Sequence, residues 1–355
     1  MPDASDVRVD AGKLKRLGIR VLVAAGVPED HAEMTVDVLL RSDLRGIESH
    51  GFARFVDFYV NRAREGRVNL SPNIRVISDA MAAATIDGDS ALGFVPSTIA
   101  MRMAIDKART TGVGMVTVLN STHYGPASPY ALMALEHDMI GWSMTTGGKY
   151  VAPPGGSVRT YGLNAFSFAA PTRPPEVPFC LDMAASVVAA GKFEIARRRE
   201  KPVPVGWGIE QDGTPILDPN KLYEVMGAIL PLGGDPEHGA WKGFGLSLMV
   251  DVLTSVLSGG PDSSQQPPTR HANHFFAAMR IDAFTPVEAF YDRMDSMKNS
   301  MRAYSRLEGA GPLTFPGEPE AKMEEECYEK GIPYHPSIPA GIKKVCEELG
   351  VDYDL

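Results

Sequence analysis

Ser49, His50 and Arg54 stand close together in the sequence, and their side chains could bind and protonate a small acid. An imidazole acts as a general acid or base near neutral pH, and a guanidinium can hold a carboxylate through two parallel hydrogen bonds. A 2-oxo acid suits both groups, because Arg54 would bind its carboxylate while His50 donates a proton to the carbonyl oxygen as a hydride reaches the carbon. The alternative interpretation is a helix cap, a turn histidine and a surface arginine.

The residues around this group predict an amphipathic helix that begins at Ser49 and ends at Gly66. Ser49 is a favoured N-cap residue, and apolar residues follow it at helical spacing: Phe52, Phe55, Val56, Tyr59 and Val60. In such a helix His50 occupies the first turn, and Arg54 lies one turn further along the same face. The helix N-terminus and the guanidinium are both expected to lower the pKa of His50 and to attract an anion.

The segment Asp43–Arg54 resembles the N-terminal signature of the malate/L-lactate dehydrogenase type 2 family, NAD(P)-dependent reductases of 2-oxo acids and related compounds. Further blocks resemble the family in the same order: Asn120-Ser-Thr-His-Tyr-Gly125, Leu181-Asp-Met-Ala-Ala-Ser186 leading to Gly191-Lys192, Leu230-Pro-Leu-Gly-Gly234 with Trp241-Lys-Gly-Phe-Gly-Leu246, and Pro316-Gly-Glu-Pro-Glu320. Together they span nearly the whole chain, which is identified as a member of the family. Its members reduce lactate- and malate-type oxo acids, ureidoglycolate, diketogulonate and cyclic imino acids, so the substrate stays open.

The resemblance also implies a second catalytic histidine and a binding site for NAD or NADP. His123 follows a predicted strand, and either His50 or His123 is the proton donor while the other binds the substrate beside Ser49 and Arg54. The residues implied to hold the cofactor are Asp182, Met183, Ala184, Ala185, Ser186, Trp241, Lys242, Gly317 and Glu318. Family members are typically homodimers, and we expect the same of this chain.

The glycine pattern does not support a Rossmann domain. Gly112-Val-Gly114 precedes a predicted strand instead of following one, and no G-x-G-x-x-G motif joins a strand to a helix. A phosphate can instead be held by another helix N-terminus. The segment 182–186 follows a strand ending at Leu181, so we predict that a helix Ala184–Arg198 begins there and receives the pyrophosphate.

The order of helical and strand patterns predicts an α+β fold. Helical patterns fill the first 66 residues, and short strands then alternate with helices up to about residue 300. We predict a helical domain built from both chain ends, residues 1–70 plus 301–355, and an inserted non-Rossmann α+β domain, residues 71–300, that binds the dinucleotide. A strand is predicted at Thr160–Ala170, and an almost wholly apolar helix at Ala240–Leu257 must be buried inside the domain or against another subunit.

Composition favours a globular enzyme. The 355 residues are 44% hydrophobic and 22% charged, and the formal net charge of −9 argues against a nucleic-acid-binding surface. No apolar run approaches the roughly 20 residues of a membrane span, and the acidic N-terminus is unlike a signal peptide, so we expect no membrane partner and a cytoplasmic location. Cys180, Cys327 and Cys346 form no CxxC pair and are expected to be buried hydrophobic residues.

Two other functions remain open. A reductase of a cyclic imine carboxylate, such as piperideine- or pyrroline-2-carboxylate, would use the same fold and direct a histidine at the ring nitrogen. A metal-dependent hydrolase would need ligands at a spacing such as H-x-x-x-H beside a catalytic carboxylate, and the sequence has no such pair. We therefore predict no metal site, and we favour hydride transfer between NAD(P)H and a small 2-oxo or 2-hydroxy carboxylic acid.

Overall fold

The computed structural model describes residues 3–266 and 271–355. Its α-helices are α1 (Ala11–Ala24), α2 (Glu29–Leu44), α3 (Asn61–Arg64), α4 (Phe94–Thr111), α5 (Ser128–Met133), α6 (Ala190–Arg198), α7 (Lys221–Glu224), α8 (Ala240–Asp251), α9 (Val287–Arg302), α10 (Glu318–Lys330) and α11 (Ser337–Leu349). Turns of 3₁₀ type cover Glu48–His50, Phe52–Arg54, Ala134–His137 and Ile281–Ala283, and π-helical turns cover Phe55–Val60 and Val252–Val256.

The strands are β1 (Val7–Val9), β2 (Arg75–Asp79), β3 (Ala83–Asp87), β4 (Val113–Ser121), β5 (Met139–Thr145), β6 (Lys149–Val151), β7 (Tyr161–Gly162), β8 (Ala165–Ala170), β9 (Phe179–Ala184), β10 (Gly208–Ile209), β11 (Ala228–Ile229), β12 (Ala272–Arg280) and β13 (Ile332–Tyr334). Seven form the central sheet in the order β2-β3-β4-β12-β5-β8-β9, and a smaller sheet has the order β10-β11-β6-β7. In the central sheet β3 and β4 are parallel, and the other neighbouring strands are antiparallel. A Rossmann sheet is mainly parallel. The predicted α+β class is confirmed.

The two chain ends meet in one helical layer. Strand β1 pairs with β13, so that Val9 lies opposite Ile332, and α11 packs against α1. The largest hydrophobic core includes Leu17 of α1 and Val118 of β4, and it therefore runs from the helical layer into the central sheet. The division of the chain into residues 1–70 plus 301–355 and residues 71–300 stays a prediction.

Two predicted elements have the wrong bounds. The helix expected from Ala184 begins at Ala190, because residues 182–184 pair with β8 and belong to β9. The expected strand Thr160–Ala170 is divided into β7 and β8 by Asn164, whose φ of 43° is left-handed. Asparagine tolerates that conformation better than most residues, and here it ends the pairing of one strand before the next begins.

Helix α8 and the π-helical turn after it bury polar residues and expose apolar ones. Asn164 donates a hydrogen bond of 2.9 Å to the buried Asp251 carboxylate. The exposed apolar side chains form what we call the α8 face: Trp241, Leu248, Met249, Val252, Val256 and Leu257. Trp241 is 58% and Val256 61% exposed in the single chain, so this face is not buried inside the domain, and the predicted alternative of burial against another subunit stays a prediction.

Candidate active site

His50 and Arg54 lie on consecutive tight turns and not on one continuous helix. Gly51 separates the two 3₁₀ turns with φ −96° and ψ −146°, which no helix allows. The prediction that Ser49 caps a helix is wrong, because its hydroxyl lies 2.9 Å from Nδ1 of His50 instead. The π-helical turn Phe55–Val60 and α3 follow, and the helical run ends before Gly66.

His50 and His123 lie side by side. Their rings are stacked with centroids 5.5 Å apart and an interplanar angle of 13°. His123 comes from the loop between β4 and α5, where the sequence placed it. The structure therefore brings both predicted catalytic histidines into one site, although 72 positions separate them in the chain.

The surroundings of His123 fix its tautomer. The Gly125 N–H donates to its Nδ1 at 3.2 Å, and the Tyr59 hydroxyl lies 2.8 Å from the same atom. A nitrogen that accepts from a backbone N–H carries no proton itself, so the neutral ring carries its proton on Nε2. Neither His123 nor His50 makes a hydrogen bond through Nε2 to the described residues, and both Nε2 atoms can serve a ligand.

Both histidines are neutral in the unliganded protein. Burial, together with the nearby charges of Arg54 and Lys192, lowers the pKa of His50 to about 3. Burial also holds the pKa of His123 well below its ordinary value, with His50 and Arg54 acting in the same direction. The predicted direction of the His50 shift is confirmed, but its main cause is the loss of solvent and not the end of a helix.

Arg54 is held on one edge and free on the other. Its Nε donates to the Ser49 carbonyl at 2.7 Å, and its Nη2 lies 2.9 Å from a carboxylate oxygen of Glu194. A guanidinium has five N–H donors, so the edge that includes Nη1 remains available for a planar anion. The predicted neighbours Ser49, His50 and Arg54 therefore do form one cluster.

Helix α6 packs directly on the His50 turn. A Cβ added to Gly191 would lie 2.6 Å from Cβ of Ser49, so only glycine permits this approach. The same helix supplies Glu194 to Arg54, and it carries the exposed Lys192, which forms no ion pair with the described residues. The Gly191-Lys192 pair predicted from sequence thus lies at the histidine site.

A buried polar network around His274 lies at the end of β4, next to the loop that carries His123. His274 lies 2.8 Å from the Thr145 hydroxyl and 2.9 Å from the Ser121 hydroxyl, and its ring stacks on Tyr124 with centroids 4.6 Å apart. Burial lowers the pKa of His274 to about 3. The network fixes the end of β4, from which the His123 loop departs.

The segment 182–186 can offer a ligand main-chain atoms, because its polar side chains already bond to the protein. The Asp182 carboxylate is buried and accepts the Ser128 N–H at 2.8 Å, and burial raises its pKa. Ala185 is buried, and the Ser186 hydroxyl donates to the Val188 carbonyl. The expectation of a helix start here is wrong, because α6 begins only at Ala190, and the binding of a phosphate by this segment stays a prediction.

The remaining predicted cofactor residues divide into two groups. Trp241 and Lys242 begin α8 and are exposed, and Lys242 forms no ion pair with the described residues. Gly317 packs against β9, with the Cys180 N–H bonded to the Pro316 carbonyl at 2.9 Å. Glu318 is already paired with Arg302 at 2.6 Å. An exposed indole and a free ammonium suit a dinucleotide, so the residues at the start of α8 fit the cofactor.

The three consecutive arginines at the end of α6, residues 197–199, each contact a neighbouring side chain. Arg198 pairs with Glu48 at 3.1 Å, and Arg199 pairs with Asp6 at 3.0 Å. Arg197 lies over the ring of Tyr223. These contacts account for the run as structural ion pairs and stacking, and they leave no free pair of arginines for a 2′-phosphate.

Sequence reasoning missed several residues of the site. Tyr59 belongs to the apolar stripe of the predicted helix, yet its hydroxyl lies 2.8 Å from Nδ1 of His123. Glu194 and His274 carry no motif, because their roles depend on contacts between distant segments. The only signal in the sequence was the position of Glu194 two residues after the Gly191-Lys192 pair.

Neither a metal cluster nor a membrane-spanning helix is present in residues 3–266 and 271–355. No group of three or more histidine, cysteine, aspartate or glutamate side chains there is arranged to hold a metal ion. Within the same residues, no helix is both long enough and apolar enough to cross a bilayer. All three cysteines are buried and unpaired, as predicted.

Known proteins resemble this chain over almost its full length. The profile of the malate/L-lactate dehydrogenase family matches residues 9–343. The malate dehydrogenase of Pyrococcus abyssi is 41% identical over 354 residues, covering 98% of this chain and 97% of that protein. The L-sulfolactate dehydrogenase of Methanocaldococcus jannaschii is 33% identical over 347 residues, covering 96% of each chain. The solved malate dehydrogenase from Pyrococcus horikoshii OT3 superimposes with a TM-score of 0.92 at 38% identity, covering 100% of this chain and 99% of that one.

The fold and the paired histidines, together with these full-length matches, define an oxidoreductase of the dehydrogenase class. The chain belongs to the malate/L-lactate dehydrogenase family. The family membership predicted from the sequence blocks is confirmed, as is the prediction of an enzyme.

Proposed function

We propose that this protein transfers a hydride between NAD(P)H and the carbonyl carbon of a small 2-oxo carboxylic acid, with His50 as the proton donor. The observation that carries the proposal is the stacked pair of partly buried histidines beside the free edge of Arg54. A bound reduced nicotinamide supplies the hydride. The protein supplies the carboxylate contact, the proton and the exclusion of water.

Arg54 orients the substrate. The edge of its guanidinium that Ser49 and Glu194 leave free forms two parallel hydrogen bonds to the substrate carboxylate. The carbonyl oxygen then lies toward the histidines. The His123 Nε2–H, whose position Gly125 and Tyr59 fix, donates a hydrogen bond to that oxygen.

His50 supplies the proton that neutralises the alkoxide formed by hydride addition. Its low pKa in the unliganded site reflects burial and the charges of Arg54 and Lys192. An anionic substrate compensates those charges and raises the pKa of His50, so binding of the acid favours uptake of the proton that is later transferred. The Ser49 hydroxyl accepts from Nδ1–H of the protonated ring, and it donates to Nδ1 when the neutral ring carries its proton on Nε2.

The cofactor would be held mainly at the start of α8. Trp241 offers a ring for stacking and Lys242 offers a charge for a phosphate. Met183 and Ala184 directly precede Ala185, whose carbonyl accepts the Leu232 N–H from the segment that joins β11 to α8. Gly317 gives a close approach at the other end of β9. The side chains of Asp182, Ala185, Ser186 and Glu318 act by shaping this surface.

We propose a substrate with a second anionic group. The relatives named above are dehydrogenases of malate and of sulfolactate, whose acids both carry two anionic groups. Besides Arg54, the exposed Lys192 is the cation whose charge lowers the pKa of His50. A four-carbon dicarboxylic or a sulfonated 2-oxo acid is therefore expected to react with a lower KM than pyruvate.

The proposal includes a homodimer formed through the α8 face and a cytoplasmic location. The apolar side chains of that face form one continuous stripe, which favours contact with a second copy. The location rests on the acidic composition and on three buried thiols that form no disulfide.

A substrate panel tests the proposal. Oxaloacetate, sulfopyruvate, pyruvate and a cyclic imine carboxylate are each offered with NADH and with NADPH, and oxidation is followed at the nicotinamide absorbance. We expect turnover of the 2-oxo acids without added metal, with the dianionic ones preferred. Turnover of the cyclic imine alone would replace the proposal by the imino acid reductase, and a requirement for a divalent metal would contradict it.

A further inference from the structure

Asp43 is a buried carboxylate that contacts the segment between the His50 and Arg54 turns. It lies at the end of α2 and is 3% exposed. One oxygen, Oδ2, accepts the Phe52 N–H at 2.7 Å and the Tyr334 hydroxyl at 2.6 Å. The other oxygen, Oδ1, is buried without a hydrogen-bond partner among the described residues. A Cβ on Gly51 would lie 1.9 Å from it.

The segment that Asp43 contacts has little regular structure of its own. The dihedral angles of Gly51 interrupt the helical hydrogen bonds between the two turns. The Phe52 N–H, which a continuous helix would bond to a preceding carbonyl, is satisfied by the Asp43 side chain instead. Charge-assisted hydrogen bonds of this kind are stronger than neutral ones. The peptide between His50 and Arg54 therefore depends on one carboxylate.

We propose that Asp43 is a positioning residue that sets the separation of His50 from Arg54 by anchoring the Gly51–Phe52 backbone to Tyr334 of β13. The inference rests on the proposed function, because it assigns those two side chains to the substrate. It predicts that loss of the carboxylate lets the two turns move relative to each other. The proton donor and the carboxylate clamp then no longer fit one small acid.

The charge state of this anchor changes near neutral pH. Burial raises the pKa of Asp43 to about 7, and the Glu48 carboxylate acts in the same direction, while the Phe52 N–H and the Tyr334 hydroxyl oppose the shift. The titratable Cys327 of α10 also interacts electrostatically with Asp43. The ionised carboxylate accepts both hydrogen bonds more strongly than the acid does. The pH profile of kcat/KM should therefore have a limb that rises over the pH range in which Asp43 ionises.

The test compares Asp43→Asn and Tyr334→Phe with the parent enzyme. Asp43→Asn keeps the shape of the side chain and removes its charge. We expect kcat/KM for the 2-oxo acid to fall about tenfold, through a lower kcat and a higher KM, and the cofactor Kd to stay unchanged, as for a loss of about 1.4 kcal/mol of transition-state stabilisation. The rising limb of the kcat/KM pH profile should disappear. Tyr334→Phe keeps the Phe52 bond and should show a smaller loss.

Two further measurements separate positioning from general destabilisation. Ile342→Ala removes core volume on α11, outside residues 43–54, and it should lower the thermal midpoint without changing the pH profile. Hydrogen–deuterium exchange of peptides covering residues 48–54 should be faster in Asp43→Asn than in Ile342→Ala. An Asp43→Asn enzyme with parental kcat, KM, pH profile and exchange overturns the inference. Unchanged exchange alone also overturns it, whether or not the proposed substrates react.

Discussion

At the scale of single residues, the site consists of two neutral imidazoles and a guanidinium in a buried place. The neighbours of His123 hold its proton on Nε2, whereas His50 has only the Ser49 hydroxyl on Nδ1 and can exchange tautomers. This difference supports His50 as the residue that gains and loses a proton. His123 then keeps a constant hydrogen bond to the substrate oxygen.

Replacing His50 by Gln is expected to lower kcat by about 10² or more, because a positioned histidine contributes roughly 10²–10⁴ to such a proton transfer. His123→Gln should impair the enzyme with a smaller effect on kcat and a larger one on KM. Steady-state kinetics with the best 2-oxo acid measure both. His137→Gln, at an exposed position, is the matched control and should behave like the parent. If His50→Gln keeps its kcat while His123→Gln loses it, the two roles are reversed.

Replacing Arg54 by Met keeps the aliphatic stem and removes the carboxylate contact. Substrate affinity should fall by about 2–4 kcal/mol, while cofactor binding changes little. The KM of the acid and the Kd of the reduced cofactor, measured by fluorescence, give the two quantities. Arg64→Met removes a surface ion pair to Glu348 and serves as the control. An Arg54→Met enzyme with the parental KM would refute the clamp.

Acid should destabilise the protein through its buried histidines. His50 and His274 have folded pKa values near 3, below the ordinary 6.5, so the unfolded chain binds more protons between pH 6.5 and 3. The free energy of unfolding therefore falls as pH decreases through that window. Asp43 opposes this, because its raised pKa adds stability as pH falls from about 7 toward 4. We expect a net loss of about 1–3 kcal/mol between pH 7 and pH 5 by urea unfolding. Equal or greater stability at pH 5 would contradict the neutral burial of the histidines.

At the scale of elements, the site depends on the close approach of α6 to the His50 turn. The absence of a side chain at Gly191 lets Glu194 reach Arg54 and brings Lys192 near His50. Because Glu194 fixes one edge of the guanidinium, the position of the helix determines which edge faces the substrate. A shift of α6 would therefore change binding without altering any residue that touches the acid.

Gly191→Ala tests this contact. The added methyl group would lie 2.6 Å from Cβ and 2.9 Å from the carbonyl oxygen of Ser49, so the helix or the turn must move. We expect kcat/KM to fall at least about tenfold, with a stability loss of about 1–3 kcal/mol from overpacking. Gly341→Ala, in α11 with open space around it, should be neutral or stabilising. Equal activity of the two variants would show that the approach of α6 is unimportant.

The sequence predicted the regular elements well and the site only in part. The sequence patterns predict a helix at Glu29–Leu44 and a strand at Ala83–Asp87, and these are the bounds of α2 and β3, because strong periodic patterns and Gly or Pro boundaries define them. The break at Gly51 was missed, since the apolar spacing around it still fits a helix and the Asp43 carboxylate that permits the break is a tertiary contact. Glu194 was missed for the same reason, because its role depends on how closely two distant segments approach.

At the scale of the whole molecule, packing within a single chain does not account for the exposed apolar side chains of the α8 face. Helix α8 directs Ser247 and Asp251 inward to bond with Asn164, and this orientation leaves its large apolar side chains in solvent. Trp241 belongs both to this face and to the proposed cofactor site. A subunit interface formed through the α8 face would therefore lie next to the proposed cofactor site.

Val252→Glu places a charge in the centre of that face and should convert a dimer into a monomer. Light scattering at micromolar concentration measures the mass. Met81→Glu changes an apolar residue that is 82% exposed elsewhere on the surface, and this variant should remain dimeric. A parent protein that is monomeric and fully active under these conditions would contradict the proposed dimer.

The pairing of β1 with β13 has a consequence for how the protein is made. Val9 stands 323 residues before its partner Ile332, so β1 and the helices that follow it emerge from the ribosome long before β13. Until then Leu14 and Leu17 of α1 lack the α11 side of their core, and such exposed apolar surface is prone to aggregation. Contacts of this sequence separation also slow folding. Nascent chains truncated before residue 332 should depend on a chaperone, and the Asp43 carboxylate lacks the Tyr334 hydroxyl until that residue has been added.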